Sequence, residues 1–97
     1  MMKLFWTLEA IQDRDEIYDY IEADNSVAAL SHDELFSEKA EYLIDHPGLG
    51  RQGRVSGTRE LVVHQNYILV YDVAGDSVRI LRVIHAARQW PPVSIKN

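Results

Sequence analysis

The basic and imidazole side chains best suited to chemistry lie in the second half of the chain. Arg59 begins one apolar run, and His85 and Arg88 follow the last one. If these three residues converge at one edge of a sheet, the arginines could stabilise the charge of a phosphodiester while His85 donates or accepts a proton. The alternative is structural, with His85 capping the last strand and Arg88 packing on Trp90. Both interpretations remain open at this point.

A second group of residues could contact a phosphate or a macromolecular target without doing chemistry. Arg51 and Arg54 lie in the segment HPGLGRQGRVSG, which we expect to be irregular. Its glycines spell G-x-G-x-x-G, but a dinucleotide site needs a strand before that motif and a helix after it, and here the order is reversed. Arg82 and Trp90 complete this group. Each of these residues also has a structural alternative to target binding. Arg51 and Arg54 could be solvated loop residues, Arg82 could form an ion pair, and Trp90 could form a hydrophobic lid.

Alternation along the last apolar run predicts where Arg82 points. Arg82 and His85 should lie on opposite faces of the strand unless a bulge intervenes. An arginine near a packed face needs a carboxylate partner, such as Glu60 or Asp72. One predicted face comprises Val78, Ile80, Arg82 and Ile84, and the other comprises Arg79, Leu81, Val83 and His85.

No familiar metal or nucleophile motif is present in the sequence. The four histidines lie far apart, there is no cysteine, and no P-loop or Gly-x-Ser-x-Gly motif occurs. We therefore expect no cofactor and no metal. The carboxylates of the first predicted helix, Asp13, Glu16, Asp19 and Glu22, fit a solvated face better than an acid/base pair.

The elements that must position these residues form one α+β domain over residues 1–97. A short strand at residues 3–7 is followed by helices over about 8–23 and 27–45, and then by three apolar runs at 60–64, 67–73 and 77–85. The two polar breaks between those runs predict tight antiparallel hairpins. The order β-α-α-β-β-β predicts a small curved antiparallel sheet packed against a helical hairpin, with the first strand beside a later one.

The charge of the chain is divided unequally. Its net charge is −5, but residues 1–46 carry a balance of −9 and residues 47–97 a balance of +4. The acidic total argues against a protein that simply coats nucleic acid. The apolar run in the opening segment MMKLFWTLEA is too short for a signal peptide or a membrane span. We therefore expect a cytoplasmic protein with no membrane partner.

Four segments together resemble the RelE/ParE superfamily of bacterial type II toxin–antitoxin toxins. They are KLFWTLEAIQDRDEIYDYIE, GTRELVV, NYILVYDV and VRILRVIHAARQWP, and the similarity covers residues 3–92. The resemblance implies the fold described above. It also implies a growth-inhibiting toxin neutralised by a cognate antitoxin, which would place an amphipathic helix against the helical hairpin or a strand against the sheet edge.

Members of the superfamily act in two ways, and the resemblance favours one of them. RelE-like toxins cut ribosome-bound mRNA without a metal, and here Arg59, His85 and Arg88 would be catalytic. ParE-like toxins poison DNA gyrase. Where RelE carries a functional arginine in the strand matching NYILVYDV, this chain has Ile68. We therefore predict a ParE-like toxin, with the mRNA endonuclease or a non-toxic degenerate member as alternatives.

Overall fold

The computed structural model describes residues 2–86 of the chain. Arg88 and Trp90, which the sequence singles out as candidates, lie outside the described residues. The elements in chain order are β1 (Lys3–Trp6), α1 (Leu8–Glu22), α2 (Ser26–Asp45), β2 (Arg51–Gln52), β3 (Arg59–His64), β4 (Tyr67–Ala74) and β5 (Ser77–His85). The predicted α+β class and the order of the main elements are confirmed.

The sheet is mixed rather than wholly antiparallel. Its strand order is β1-β5-β4-β3-β2. The first strand joins beside a later strand, as predicted, but it runs parallel to β5 because two helices intervene and return the chain to the same end. The other pairs are antiparallel. The two-residue strand β2 forms inside the segment that we expected to be irregular.

A polar side chain caps the start of each helix. The Thr7 hydroxyl accepts a hydrogen bond from the Ala10 N–H at 3.1 Å, and the Asn25 side chain accepts one from the Ala28 N–H at 3.0 Å. The apolar face of α2 is buried, and its residues are Ala29, Phe36, Ala40 and Leu43. Within residues 2–86, no helix combines the length and apolar character needed to cross a membrane.

A β-bulge in β5 changes which side chains share a face. Tyr71 pairs with Ile80 and Val70 pairs with Arg82, so Leu81 has no partner on β4. Because one residue is inserted, Val83 packs in the same core cluster as Ile80, whereas simple alternation put them on opposite faces. The predicted face sets are wrong beyond the bulge. Opposite placement of Arg82 and His85 is retained, since their β4 partners are three residues apart.

The outer edge of β5 is covered first by β1 and then by α1. Strand β1 pairs only as far as Ile80. Beyond it, the Thr7 hydroxyl donates to the Leu81 carbonyl at 2.9 Å, and a carboxylate oxygen of Asp13 accepts the Val83 N–H at 2.9 Å. Side-chain groups of α1 and its cap thus satisfy backbone atoms that a strand would otherwise pair.

Candidate functional site

Arg59 and His85 lie at different ends of the sheet. Arg59 is opposite Tyr71 and His85 is opposite Tyr67, four residues away on β4. This offset is about 13 Å along the strand, and the width of two strand spacings is about 10 Å. The structure therefore does not bring Arg59 together with His85, because the hairpin register places them apart.

The loop arginines Arg51 and Arg54 converge on one buried carboxylate. Glu60 is 2% exposed. Its Oε1 lies 3.2 Å from Nη2 of Arg51 and 3.6 Å from Nε of Arg54, and its Oε2 accepts the Arg54 N–H at 3.0 Å. We call these three residues the Glu60 clamp. The clamp ties the loop to β3, and the predicted phosphate contacts thus also have a structural role.

The electrostatics of the Glu60 clamp keep the carboxylate ionised. Burial alone would raise the pKa of Glu60. The hydrogen bonds from the Arg54 N–H and the Arg51 side chain, together with both guanidinium charges, outweigh burial and lower the pKa below its ordinary value of 4.5. One carboxylate facing two arginines leaves this loop with a net positive charge.

Arg59 reaches away from His85, towards the same loop. Its Nη1 donates to the carbonyl of Gly50 at 2.7 Å and to that of Gly48 at 3.4 Å. Among residues 2–86, no carboxylate forms an ion pair with Arg59. A cavity of about 320 Å³ borders it, lined by Gln52, Gly53, Ser56, Gly57, Thr58 and Arg59. The loop therefore offers a cation beside polar groups.

A buried tyrosine holds this loop in place. The Tyr71 hydroxyl donates to the Pro47 carbonyl at 2.8 Å and accepts the Gly50 N–H at 2.8 Å. Burial raises the pKa of Tyr71, although the Gly50 hydrogen bond and the charge of Arg59 act in the opposite direction. A Cβ at Gly50 would lie 2.7 Å from Cε1 of Tyr71, so only glycine permits this approach.

Arg82 pairs with a carboxylate that we did not predict. Its Nε and Nη2 atoms lie 2.7 and 3.0 Å from the two carboxylate oxygens of Asp13. That hydrogen bond raises the pKa of Arg82, and the charges of Glu9 and Glu16 act in the same direction. The expected partners are occupied elsewhere, because Asp72 pairs with Arg79 and Glu60 belongs to the clamp. Asp13 is correspondingly not the solvated residue that the sequence indicated.

Three histidines surround Tyr67 at the other end of the sheet. The Tyr67 ring centroid is 5.2 Å from that of His85, 5.8 Å from that of His32 and 6.5 Å from that of His64. The rings of His32 and His64 are 4.7 Å apart. Their wide separation in sequence concealed this cluster. Within residues 2–86, no three His, Asp or Glu side chains are placed to hold a metal ion.

His85 also lines a groove between α1 and the end of β5. The groove has a volume of about 410 Å³. We call it the α1–β5 groove, and its lining residues are Asp13, Glu16, Ile17, Tyr20, Tyr67, Val83 and His85. An imidazole, two phenols and two carboxylates therefore share one concave surface. The arginines Arg51, Arg54 and Arg59, which we call the arginine loop, lie elsewhere on the sheet.

Comparison with known proteins places this fold in a family. Residues 4–90 match the model of the ParE toxin of the type II toxin–antitoxin system parDE. The chain belongs to the ParE toxin family. It is a toxin of a type II toxin–antitoxin system, within the RelE/ParE superfamily whose resemblance the sequence carries.

Individual relatives span nearly the whole toxin. A Sinorhizobium fredii protein named as a candidate toxin, Y4kP, is 41% identical over 92 residues, covering 94% of this chain and 95% of the relative. Toxin RelE2 of Caulobacter vibrioides is 36% identical over 88 residues, covering 91% and 99%. A structure of the chromosomal ParDE system from P. aeruginosa superposes with a TM-score of 0.77 at 31% identity, covering 88% and 96%.

Sequence reasoning missed several residues that organise the site. A lone glutamate within an apolar strand was a usable signal for Glu60, because a charge there must be paired. Asp13 lies one helical turn after the buried Ala10, so the sequence spacing already placed it at the border of the packed face of α1. No local signal pointed to the cluster around Tyr67, since its members meet only in the folded chain.

Proposed function

We propose that this toxin arrests growth by poisoning DNA gyrase, in the manner of the ParE-like branch. The observation that carries this proposal concerns Ile68, at the position where RelE carries a functional arginine. Ile68 is 3% exposed and packs in a cluster with Val70 and Ile84. An arginine there could not be accommodated without burying an unpaired charge, so this part of the sheet is built for packing rather than for phosphate chemistry.

The separation of Arg59 from His85 supports the same proposal. The Arg59 guanidinium is held by loop carbonyls beside β2, while His85 lies in the α1–β5 groove. This separation is unfavourable for a mechanism in which both side chains act on one scissile phosphate. A binding toxin has no such requirement, because it acts by occupying a surface of its target.

The arginine loop is the surface that we assign to the target. Arg51 and Arg54 are 58% and 45% exposed in their side chains, and they share a single carboxylate. Arg59 lies beside them. Their joint positive charge suits a DNA-bound or acidic target surface. Arg82 forms an ion pair with Asp13, and we therefore assign it the role of positioning α1 against the sheet.

A cognate antitoxin is the second partner in the proposal. The related P. aeruginosa structure is of a ParDE system. The antitoxin would neutralise the toxin by covering its exposed surfaces, and the cytoplasm is the compartment in which both partners and gyrase would meet.

Ribosome-dependent mRNA cleavage is the second candidate function. The placement of His85 against Tyr67 with Glu16 in the same groove favours it, since these groups could transfer protons. The name of the Caulobacter relative, RelE2, points the same way. In this reading, Arg59 would be catalytic only after a rearrangement of the loop. A degenerate member that binds its antitoxin without arresting growth is a third possibility.

Induction in cells separates the three candidates. We expect growth arrest, a shift of a reporter plasmid towards relaxed topoisomers, and no new mRNA ends by primer extension. Codon-specific mRNA ends with unchanged plasmid supercoiling would assign the nuclease function instead. Normal growth at high expression would contradict both and support the degenerate member.

A further inference from the structure

The α1–β5 groove combines an apolar floor with an acidic wall. Val83 and Tyr67 are 3% and 6% exposed and form its floor, whereas Tyr20 on the wall is 78% exposed. The Tyr20 side chain makes no ring contact or hydrogen bond with any of residues 2–86. An exposed aromatic wall above an apolar floor is typical of a pocket that receives a partner's side chain.

The charge of the groove specifies the chemistry of that partner. Asp13 is neutralised by Arg82. Glu16 lines the groove without an ion pair among the described residues, and the charges of Glu16 and Glu9 both act on Arg82. Among residues 2–86, Glu16 is therefore the carboxylate that lines the groove without an ion pair, beside the apolar floor. The groove is thus complementary to a cation carried next to an apolar anchor.

We propose that the α1–β5 groove receives a basic segment of the cognate antitoxin, in which a Lys or Arg pairs with Glu16 and an adjacent aliphatic or aromatic residue inserts beside Tyr20. This inference rests on the proposed toxin–antitoxin function. It adds the site of the contact and the positive charge of the antitoxin segment that binds there. It differs from the arginine loop, whose positive charge would attract acidic segments. The two surfaces therefore recognise partner segments of opposite charge.

The test compares two charge reversals on adjacent residues of α1. Glu16→Lys places a cation in the groove, and Asp15→Lys makes the same change at an exposed neighbour outside the groove. Titration calorimetry with the full-length antitoxin encoded beside the toxin gene should show affinity at least tenfold weaker for Glu16→Lys. Asp15→Lys should remain within about threefold of the original chain. Unchanged thermal unfolding midpoints would show that both variants fold.

Four outcomes would overturn the proposal. The first is equal antitoxin affinity of the two variants, and the second is an affinity that salt weakens equally for the original chain and both variants. The third is a toxin dimer that Glu16→Lys abolishes. The fourth is unchanged antitoxin affinity of Tyr20→Ala. The dimer outcome would assign the groove to a second copy of the chain. Growth inhibition and plasmid supercoiling with the original chain, scored separately, test the proposed function, so its failure is distinguishable from failure of the groove assignment.

Discussion

Asp13 of α1 and Arg82 of β5 form a two-point ion pair, with Nε–Oδ2 and Nη2–Oδ1 distances of 2.7 and 3.0 Å. The same carboxylate accepts the Val83 N–H. Together with the Thr7 hydroxyl, this aspartate covers the part of the β5 edge that β1 does not reach. It also fixes the position of α1 against the sheet and shapes the wall of the α1–β5 groove.

Replacing Asp13 with alanine should destabilise the fold by about 2–4 kcal/mol, because a backbone N–H and a guanidinium lose a charged acceptor. Chemical denaturation at neutral pH measures this loss. Asp15→Ala is the matched control on the exposed face, and we expect a change within about 0.5 kcal/mol. Similar losses for the two variants would contradict the role assigned to Asp13.

The Glu60 clamp should make stability depend on pH. Because the folded-state pKa of Glu60 lies below its ordinary value of 4.5, the carboxylate contributes stability above that pH, and the contribution is lost as pH falls through the folded-state pKa. Glu60→Gln should therefore be less stable than the original chain at pH 7, and the gap should narrow below about pH 4.5.

Denaturation curves at pH 7, 5, 4 and 3 would measure this convergence. Glu38→Gln changes an exposed α2 glutamate and should shift stability little at any of these values. A gap between Glu60→Gln and the original chain that stays constant with pH would show that the clamp does not depend on ionisation.

Gly50 should not tolerate a methyl group. An alanine Cβ would lie 2.7 and 2.8 Å from Cε1 and the hydroxyl oxygen of Tyr71. Overpacking of this kind costs about 1–3 kcal/mol. Gly48→Ala has no atom within 4 Å of the new Cβ and serves as the control. Equal thermal unfolding midpoints for the two variants would contradict the close approach of Tyr71.

Arg59 should contribute to target inhibition without being essential to folding. Among residues 2–86, its guanidinium hydrogen-bonds to loop carbonyls and pairs with no carboxylate, so Arg59→Gln removes a charge while leaving the core intact. We expect about tenfold weaker growth inhibition. Arg79→Gln removes a charge from the exposed Asp72 pair instead and should change inhibition less than twofold. Equal effects of the two changes would indicate that only net charge matters.

Local patterns in the sequence predicted most of the fold. Helical patterns located both helices, and the breaks at Gln65-Asn66 and Ala74-Gly75-Asp76 located the hairpins. These features depend on neighbours within a few residues, so a single sequence carries them.

What the sequence did not predict depends on contacts between distant residues. The bulge at Leu81 has no glycine or other local mark, and it reverses the faces of every residue after it in β5. Asp13 and Arg82 are 69 residues apart, and any of fifteen carboxylates could have been the partner. The separation of Arg59 from His85 follows from hairpin register, which alternation alone leaves open.

The most direct test of the proposed function is a supercoiling reaction with purified gyrase, relaxed plasmid and ATP. We predict that the toxin inhibits supercoiling in a dose-dependent way, that cleaved plasmid accumulates after protein removal, and that equimolar antitoxin restores activity. Unchanged supercoiling by a preparation that arrests growth in cells would contradict gyrase poisoning.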